Sequence, residues 1–376
     1  MPLRLVGPII LALLVLASPL AVEGKISCRA PDAVCAAASR VFRIASFDPL
    51  ASAVLIGPGL FVTNRHAVAD AKEFEIFIPK HGPMTARIVP TAYKGDLILF
   101  RVTEIKSPTP LTTARANPEG RFYTIGADIR SRDIRVYQPG RLLLPLAAGK
   151  PYARLHNDAY SQPGNSGGAL VDSKGRLVAI VTSGGDGRNE AIPVSEIENL
   201  KALSGPDFAS DSHALGIAYR KCIEALEAVP PSRRQPPPGT TTILKDQCGR
   251  TNNRQLWDLA GQTFGRMGQT EDAIEMFSRA LEQDPNAINS MMSLAIVLHL
   301  KGRYGDEVPL LRRLIDILPS DAGMLRLGVQ AGAWGHDKVL MQKSLELMET
   351  HYPKLAPMAR SFIEKNPTPP KRRKRR

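Results

Sequence analysis

Between residues 41 and 200 the apolar positions come in short runs broken by Gly, Pro, Asn and Asp. Ser52–Ile56, Leu60–Thr63, Phe74–Ile78, Ala86–Val89, Leu97–Val102, Leu177–Thr182 and Ala191–Val194 have the length and composition of strands. Several short strands with turn signals between them predict an antiparallel barrel or sandwich. The pattern changes after residue 205. His213–Ala228 places apolar residues near i, i+3 and i+4, the period of an amphipathic helix. PPSRRQPPPG at 230–239 is too proline-rich for a helix or a central strand and reads as an extended linker. From 251 onward the helical period returns and repeats, with Pro285, Pro319 and Pro353 spaced 34 residues apart.

That spacing is the length of a tetratricopeptide (TPR) helix pair. Residues 254–287 fit it closely, with Trp257, Gly261, Phe264, Ala273, Phe277, Ala280 and Pro285 at the expected offsets and Ala260 where Leu is usual. Small residues let the two helices approach, aromatics fill the space between them, and the proline ends the second helix. Residues 288–321 and 322–355 fit more loosely. Pro309 falls near the start of a second helix, where only the first turn tolerates it, and Gly328 and Gly332 weaken a first helix. A capping helix is expected at Leu355–Glu364. Stacked pairs of this kind form a concave groove suited to a protein partner.

Composition adds less. The chain has 376 residues, 23% charged and 43% hydrophobic, which excludes collagen, coiled-coil rods and wholesale disorder. Of the net charge of +13, the terminal KRRKRR supplies +6, leaving +7 on the rest. The protein therefore has a basic tail rather than a basic surface. Such a tail suits anionic surfaces, with strong salt dependence. No aromatic residue is interleaved to stack bases, so no specific nucleic-acid reading is expected.

Residues 1–24 place Arg4 before an apolar run ending in small residues, the pattern of a signal peptide. An uncleaved anchor is the alternative. Export to the periplasm or secretion follows from the first. The four cysteines are even in number, and chain order suggests Cys28–Cys35 and Cys222–Cys248, one of three possible pairings. The second would contribute about 3 kcal/mol. No metal-ligand spacing appears, and no metal or other cofactor is expected.

Candidate chemistry concentrates in three segments. GNSGG at 164–168 supplies a serine, Ser166, on a glycine-rich turn able to expose its hydroxyl. The N–H groups of Gly164 and Ser166 would bind a developing oxyanion. Upstream, His66 follows the strand Leu60–Thr63, and Asp96 opens the run GDLILFRV. Asp70 rivals Asp96 but lies only four residues beyond His66. The remaining histidines, 81, 156, 213, 299, 336 and 351, read as surface or packing residues.

The order His66, Asp96, Ser166 is that of the chymotrypsin fold. TNRHAV, GDLILFRV and PGNSGGALVDSKGRLVAIVTSG resemble the catalytic segments of trypsin-like peptidases, and most of all the HtrA/Deg branch. AIPV at 191–194 resembles that branch's last strand. The resemblance covers about residues 40–204 and implies two six-stranded antiparallel barrels with a His-Asp-Ser site between them. It also implies a specificity pocket with Tyr160 at its base and Thr182, Ser183 and Gly184 along a wall that pairs with substrate backbone. With no acid at the base, cleavage after small or medium apolar residues is expected. Asn165 stands where secreted zymogens carry Asp, so activity should not depend on an ion pair with a freed N-terminus. HtrA-type proteins usually continue into PDZ domains, where this chain has TPR-type repeats.

The expected organisation is therefore multidomain: a signal peptide at 1–24, an all-β trypsin-like peptidase domain at 25–204, a helix and proline-rich linker at 205–250, an all-α TPR domain at 251–366 and a basic tail at 367–376. The function it points to is an exported serine endopeptidase acting on polypeptides, with a partner-recruiting groove. The alternative is an inactive scaffold of the same architecture.

Overall fold

The structure is a computed structural model that describes residues 28–105, 109–229, 236–365 and 368–369. The apolar segment at 1–24, residues 230–235 of the proline-rich stretch and the basic KRRKRR lie outside the described residues. After a short helix α1 (Asp32–Ala37), six strands form the first sheet: β1 (Val41–Ala45), β2 (Ala51–Gly57), β3 (Leu60–Thr63), β4 (Glu73–Ile78), β5 (Gly82–Val89) and β6 (Ile98–Arg101). They close into an antiparallel barrel in the order β1-β2-β3-β6-β5-β4. The strand period is visible in β4, where Phe74, Ile76 and Ile78 are buried and Glu73 and Glu75 face solvent. Phe61 stacks on Phe100 at 5.1 Å, and Phe42 and Phe74 meet them edge-on at 5.4 and 4.9 Å. Burial of each such ring contributes roughly 1.5–3 kcal/mol. A four-residue helix α2 (Arg65–Val68) follows β3 and carries His66.

Seven strands form the second sheet: β7 (Phe122–Ala127), β8 (Ile134–Val136), β9 (Leu142–Leu144), β10 (Leu155–Asn157), β11 (Ala169–Asp172), β12 (Leu177–Ser183) and β13 (Asn189–Pro193). Their order is β8-β7-β11-β12-β13-β10-β9. The sequence implied a second barrel of six strands. The difference arises at Pro139-Gly140, which interrupts the chain between β8 and β9, the two edges of the sheet. The ends of the sheet are thus consecutive in the chain, and Gly140 between them exchanges two backbone hydrogen bonds of 2.9 Å with Phe122 of β7. Proline has no N–H to continue the ladder.

Helix α3 (Glu196–Ala202) packs Ile197 and Leu200 into the core between the two sheets. Helix α4 (Ala209–Glu227) is followed by a short α5 (Thr240–Ile243) and a π-helical turn at Leu244–Cys248. Three antiparallel pairs come next: α6 (Arg254–Arg266) with α7 (Thr270–Gln283), α8 (Ile288–Lys301) with α9 (Tyr304–Ile317), and α10 (Ala322–Trp334) with α11 (Lys338–His351). A last helix, α12 (Ala356–Lys365), ends the described fold. This all-helical region accords with TPR pairs on a 34-residue period. Pro309 lies further into α9 than the first turn that the sequence reading allowed it. Gly328 and Gly332 weaken α10 in isolation but let α11 approach. A Cβ on Gly332 would stand 2.6 Å from Met341 N, and one on Gly328 2.1 Å from the Ser344 hydroxyl oxygen.

Two disulfides join Cys28 to Cys35 and Cys222 to Cys248, leaving no free cysteine among the described residues. The second lies in one hydrophobic core with Tyr219, Leu244, Leu256, Trp257, Phe264 and Phe277. Among the described residues no helix is long and apolar enough to cross a membrane.

Candidate active site

The first barrel places His66 on α2, just past β3, and Asp96 just before β6. Because β3 and β6 are paired, the two residues come together. His66 Nδ1 lies 2.8 Å from one Asp96 carboxylate oxygen, and the His66 backbone N–H donates to the other at 3.0 Å. Asp96 is buried and also accepts from the Thr182 hydroxyl at 2.9 Å. Burial opposes the charged forms of both groups, but each offsets it for the other. The Asp96 carboxylate holds the His66 pKa above its usual value, and the His66 ring holds that of Asp96 below. Asp70, the rival carboxylate, bonds instead to Arg220 of α4.

Ser166 sits in the turn before β11, in the same cleft as His66. Its hydroxyl donates to the Thr182 carbonyl at 3.1 Å, and among the described residues no hydrogen bond joins it to His66. Gly164 has φ +97°, a conformation that a side chain would strain. The N–H groups of Gly164 and Ser166 donate to no protein acceptor among the described residues. The turn is held from inside by Asn165, whose side chain donates to the Ala127 carbonyl at 3.0 Å and accepts from Gln162 N–H at 2.9 Å.

Thr182, Ser183 and Gly184 line the same cleft. Tyr160 is half-exposed, stacked on Tyr137 at 5.6 Å, and lines a recess shared with Gly184 and Asn189. Asp158 beside it is engaged by the Arg141 N–H.

Several residues near the cleft escaped the sequence reading. Ser52 of β2 is fully buried, with its hydroxyl donating to the Gly164 carbonyl at 2.7 Å and accepting from Ala127 N–H at 2.8 Å. It ties the first barrel to the serine turn. Arg65, next to His66, is also buried and donates to the Ser212 hydroxyl and carbonyl of α4 at 3.0 and 3.3 Å. Burial lowers its pKa to about 10, so it stays charged at neutral pH. Gly216 of α4 lets that helix touch the His66 loop, since a Cβ there would stand 2.6 Å from the Ala69 carbonyl oxygen.

A buried ion cluster joins the second sheet to the first helix pair. Glu190 of β13 accepts from Arg154 at 2.9 Å, from Arg254 of α6 at 2.6 Å and from the Ser183 hydroxyl at 3.0 Å. Asp284, just past α7, accepts from Arg254 at 3.0 Å and from the Arg154 N–H at 3.1 Å, with His156 Nε2 at 2.9 Å. The side chains of Arg154, His156, Glu190, Arg254 and Asp284 are each no more than 4% exposed. Burial would raise the Glu190 pKa, but Arg254 and then Arg154 pull it down to about 2. His156, read from sequence as a surface or packing residue, thus belongs to a charged core. A basic residue at the start of a repeat was the only signal for Arg254, and its partners lie far off in the chain.

Residues 51–180, which include His66, Asp96 and Ser166, match the family model of the trypsin-like peptidase domain. The periplasmic serine endoprotease DegP of Salmonella typhimurium is 29% identical over 175 residues, covering 41% of this chain and 35% of the relative. The TPR repeat-containing protein MJ1428 of Methanocaldococcus jannaschii is 30% identical over 69 residues, covering 18% of this chain and 12% of that one. A solved structure of the HtrA-type protease AlgW with a tripeptide has a TM-score of 0.41 and 24% identity, over 46% of this chain and 62% of that one. The chain spans about a third of the length of the DegP-like relatives it matches. It carries a trypsin-like peptidase domain related to the HtrA/DegP serine peptidases, followed by an all-helical region that accords with TPR repeats.

Proposed function

We propose that this chain is an exported serine endopeptidase that hydrolyses peptide bonds in protein substrates. The observation that carries the reading is the pairing of His66 with a buried Asp96 in a cleft that also holds Ser166 and two N–H groups without an acceptor among the described residues. Ser166 attacks the scissile carbonyl, His66 takes its proton and returns it to the leaving amine, and Asp96 holds the imidazole in the productive tautomer. The N–H groups of Gly164 and Ser166 bind the oxyanion. Substrate pairs as an added strand along Thr182, Ser183 and Gly184, and its backbone N–H takes over the Thr182 carbonyl. That exchange frees the Ser166 hydroxyl to turn toward His66. Engagement of Asp158 by a backbone N–H, with Tyr160 beside it, supports cleavage after small or medium apolar residues.

The second reading, an inactive scaffold, is favoured by the resting bond from Ser166 to the Thr182 carbonyl. A fluorophosphonate probe separates the two, with labelling at Ser166 expected and absence of labelling fatal to the hydrolase. Ser166→Ala should abolish casein hydrolysis, and Asp96→Asn should lower kcat about 10⁴-fold through the wrong imidazole tautomer. Export is supported by the 1–24 segment and by the periplasmic relative. In this reading the helical groove recruits a protein partner, and the basic tail meets an anionic surface.

A further inference from the structure

We infer that Gln255, on the first turn of α6, is a peptide-binding residue of the catalytic cleft, so that the helical region completes the substrate site. The inference takes its ligand class from the peptidase reading above. Gln255 lines the cleft together with His66, Ser166, Ser183 and Gly184. Its carboxamide oxygen is buried and accepts no hydrogen bond among the described residues. A buried acceptor without a donor is a standing cost that a ligand N–H would relieve.

The side chain is held in place from one residue away. Arg254 is fixed between Glu190 and Asp284, and Glu190 also holds the Ser183 hydroxyl. The start of α6 is therefore anchored, through Glu190 of β13, to Ser183 in the cleft. A peptide added along Thr182–Gly184 pairs one edge of its backbone with that segment and leaves alternate N–H and C=O groups on its other edge. A carboxamide has both an acceptor and donors and can serve such a peptide unit. The ligand is thus the main chain of an extended polypeptide, on the acyl side of the scissile bond.

The test uses the full chain carrying Ser166→Ala, which removes turnover, and a random decapeptide library whose retained members are sequenced by mass spectrometry. Adding Gln255→Ala should weaken retention roughly three- to tenfold, as for the loss of one hydrogen bond. Adding Gln255→Glu instead, which keeps the shape and an acceptor for a peptide N–H, should retain more peptide than Gln255→Ala. Unchanged retention in the Gln255→Ala variant would overturn the inference, as would no retention by the Ser166→Ala chain. Fluorophosphonate labelling of the unsubstituted chain reads the hydrolase separately. A labelled chain indifferent to Gln255 fails the inference alone, and an unlabelled chain that retains peptide through Gln255 fails the hydrolase alone.

Discussion

Thr182 touches both halves of the proposed machinery. Its hydroxyl donates to the Asp96 oxygen that also faces His66, and its carbonyl holds the Ser166 hydroxyl. Because the Asp96 charge raises the His66 pKa, the acid limb of kcat/KM should have its midpoint above the ordinary histidine value of about 6.5. Activity needs the neutral imidazole and so falls as pH drops through that raised pKa. Thr182→Val removes one donor from the carboxylate, which becomes a stronger counter-charge. The limb should move to still higher pH, and a pH–rate profile that does not move would contradict this coupling. His66, Asp96 and Ser166 were legible because each lies in a short segment with its own turn or strand signal. Ser52 was not legible, since a buried serine on an apolar strand looks like any other small residue. Its partners, Gly164 and Ala127, are over seventy residues away.

At the level of elements, the helix pairs were easier to read than the strands. A proline every 34 residues marks the end of each second helix, and α12 begins within a residue of the expected capping helix. The strands β1, β7, β10 and β11 were missed because their burial comes from pairing with distant segments rather than from local alternation, and β7 is buried at all six positions; β8 and β9 are three residues each, half-buried throughout, too short to show a period. Inside α6, Asp258 is buried and accepts from the Ser290 hydroxyl of α8 at 2.7 Å. Burial, then the nearby Glu190, push its pKa up to about 7. The unfolded carboxyl ionises near 3.9, so between about pH 4 and 7 the folded state binds the extra proton and stability falls as pH rises. Asp258→Asn should therefore raise Tm at pH 8 and leave it little changed at pH 4. Thermal unfolding at the two pH values checks this, and an equal shift at both would refute it.

For the whole molecule, the sheet and the first helix pair share a charged core rather than a loose junction. Arg254→Ala would leave Glu190 and Asp284 without one of their buried counter-charges and should destabilise the fold by about 3–5 kcal/mol. The loss should appear as one lowered Tm for sheets and helices together, whereas two separate transitions with only one shifted would argue against the shared core. The same cluster has an acid limit of the opposite sign to Asp258. The depressed Glu190 pKa contributes stability above its unfolded value of about 4.3, and this is lost as pH falls toward about 2. Sequence could not show this arrangement. Charged residues normally face water, and nothing local marks Arg154, Glu190, Arg254 and Asp284 as exceptions that neutralise one another.

The bond between Cys222 and Cys248 closes a covalent ring around the proline-rich stretch, with α4 on one side and the π-helical turn on the other. A single backbone cut inside that ring would not release a fragment. The His66-supporting helix and the repeats would stay tethered through sulfur, travelling as one species until a reductant parts them. A chain cut there would stay one covalent species in an oxidising compartment and could part into two only in a reducing one.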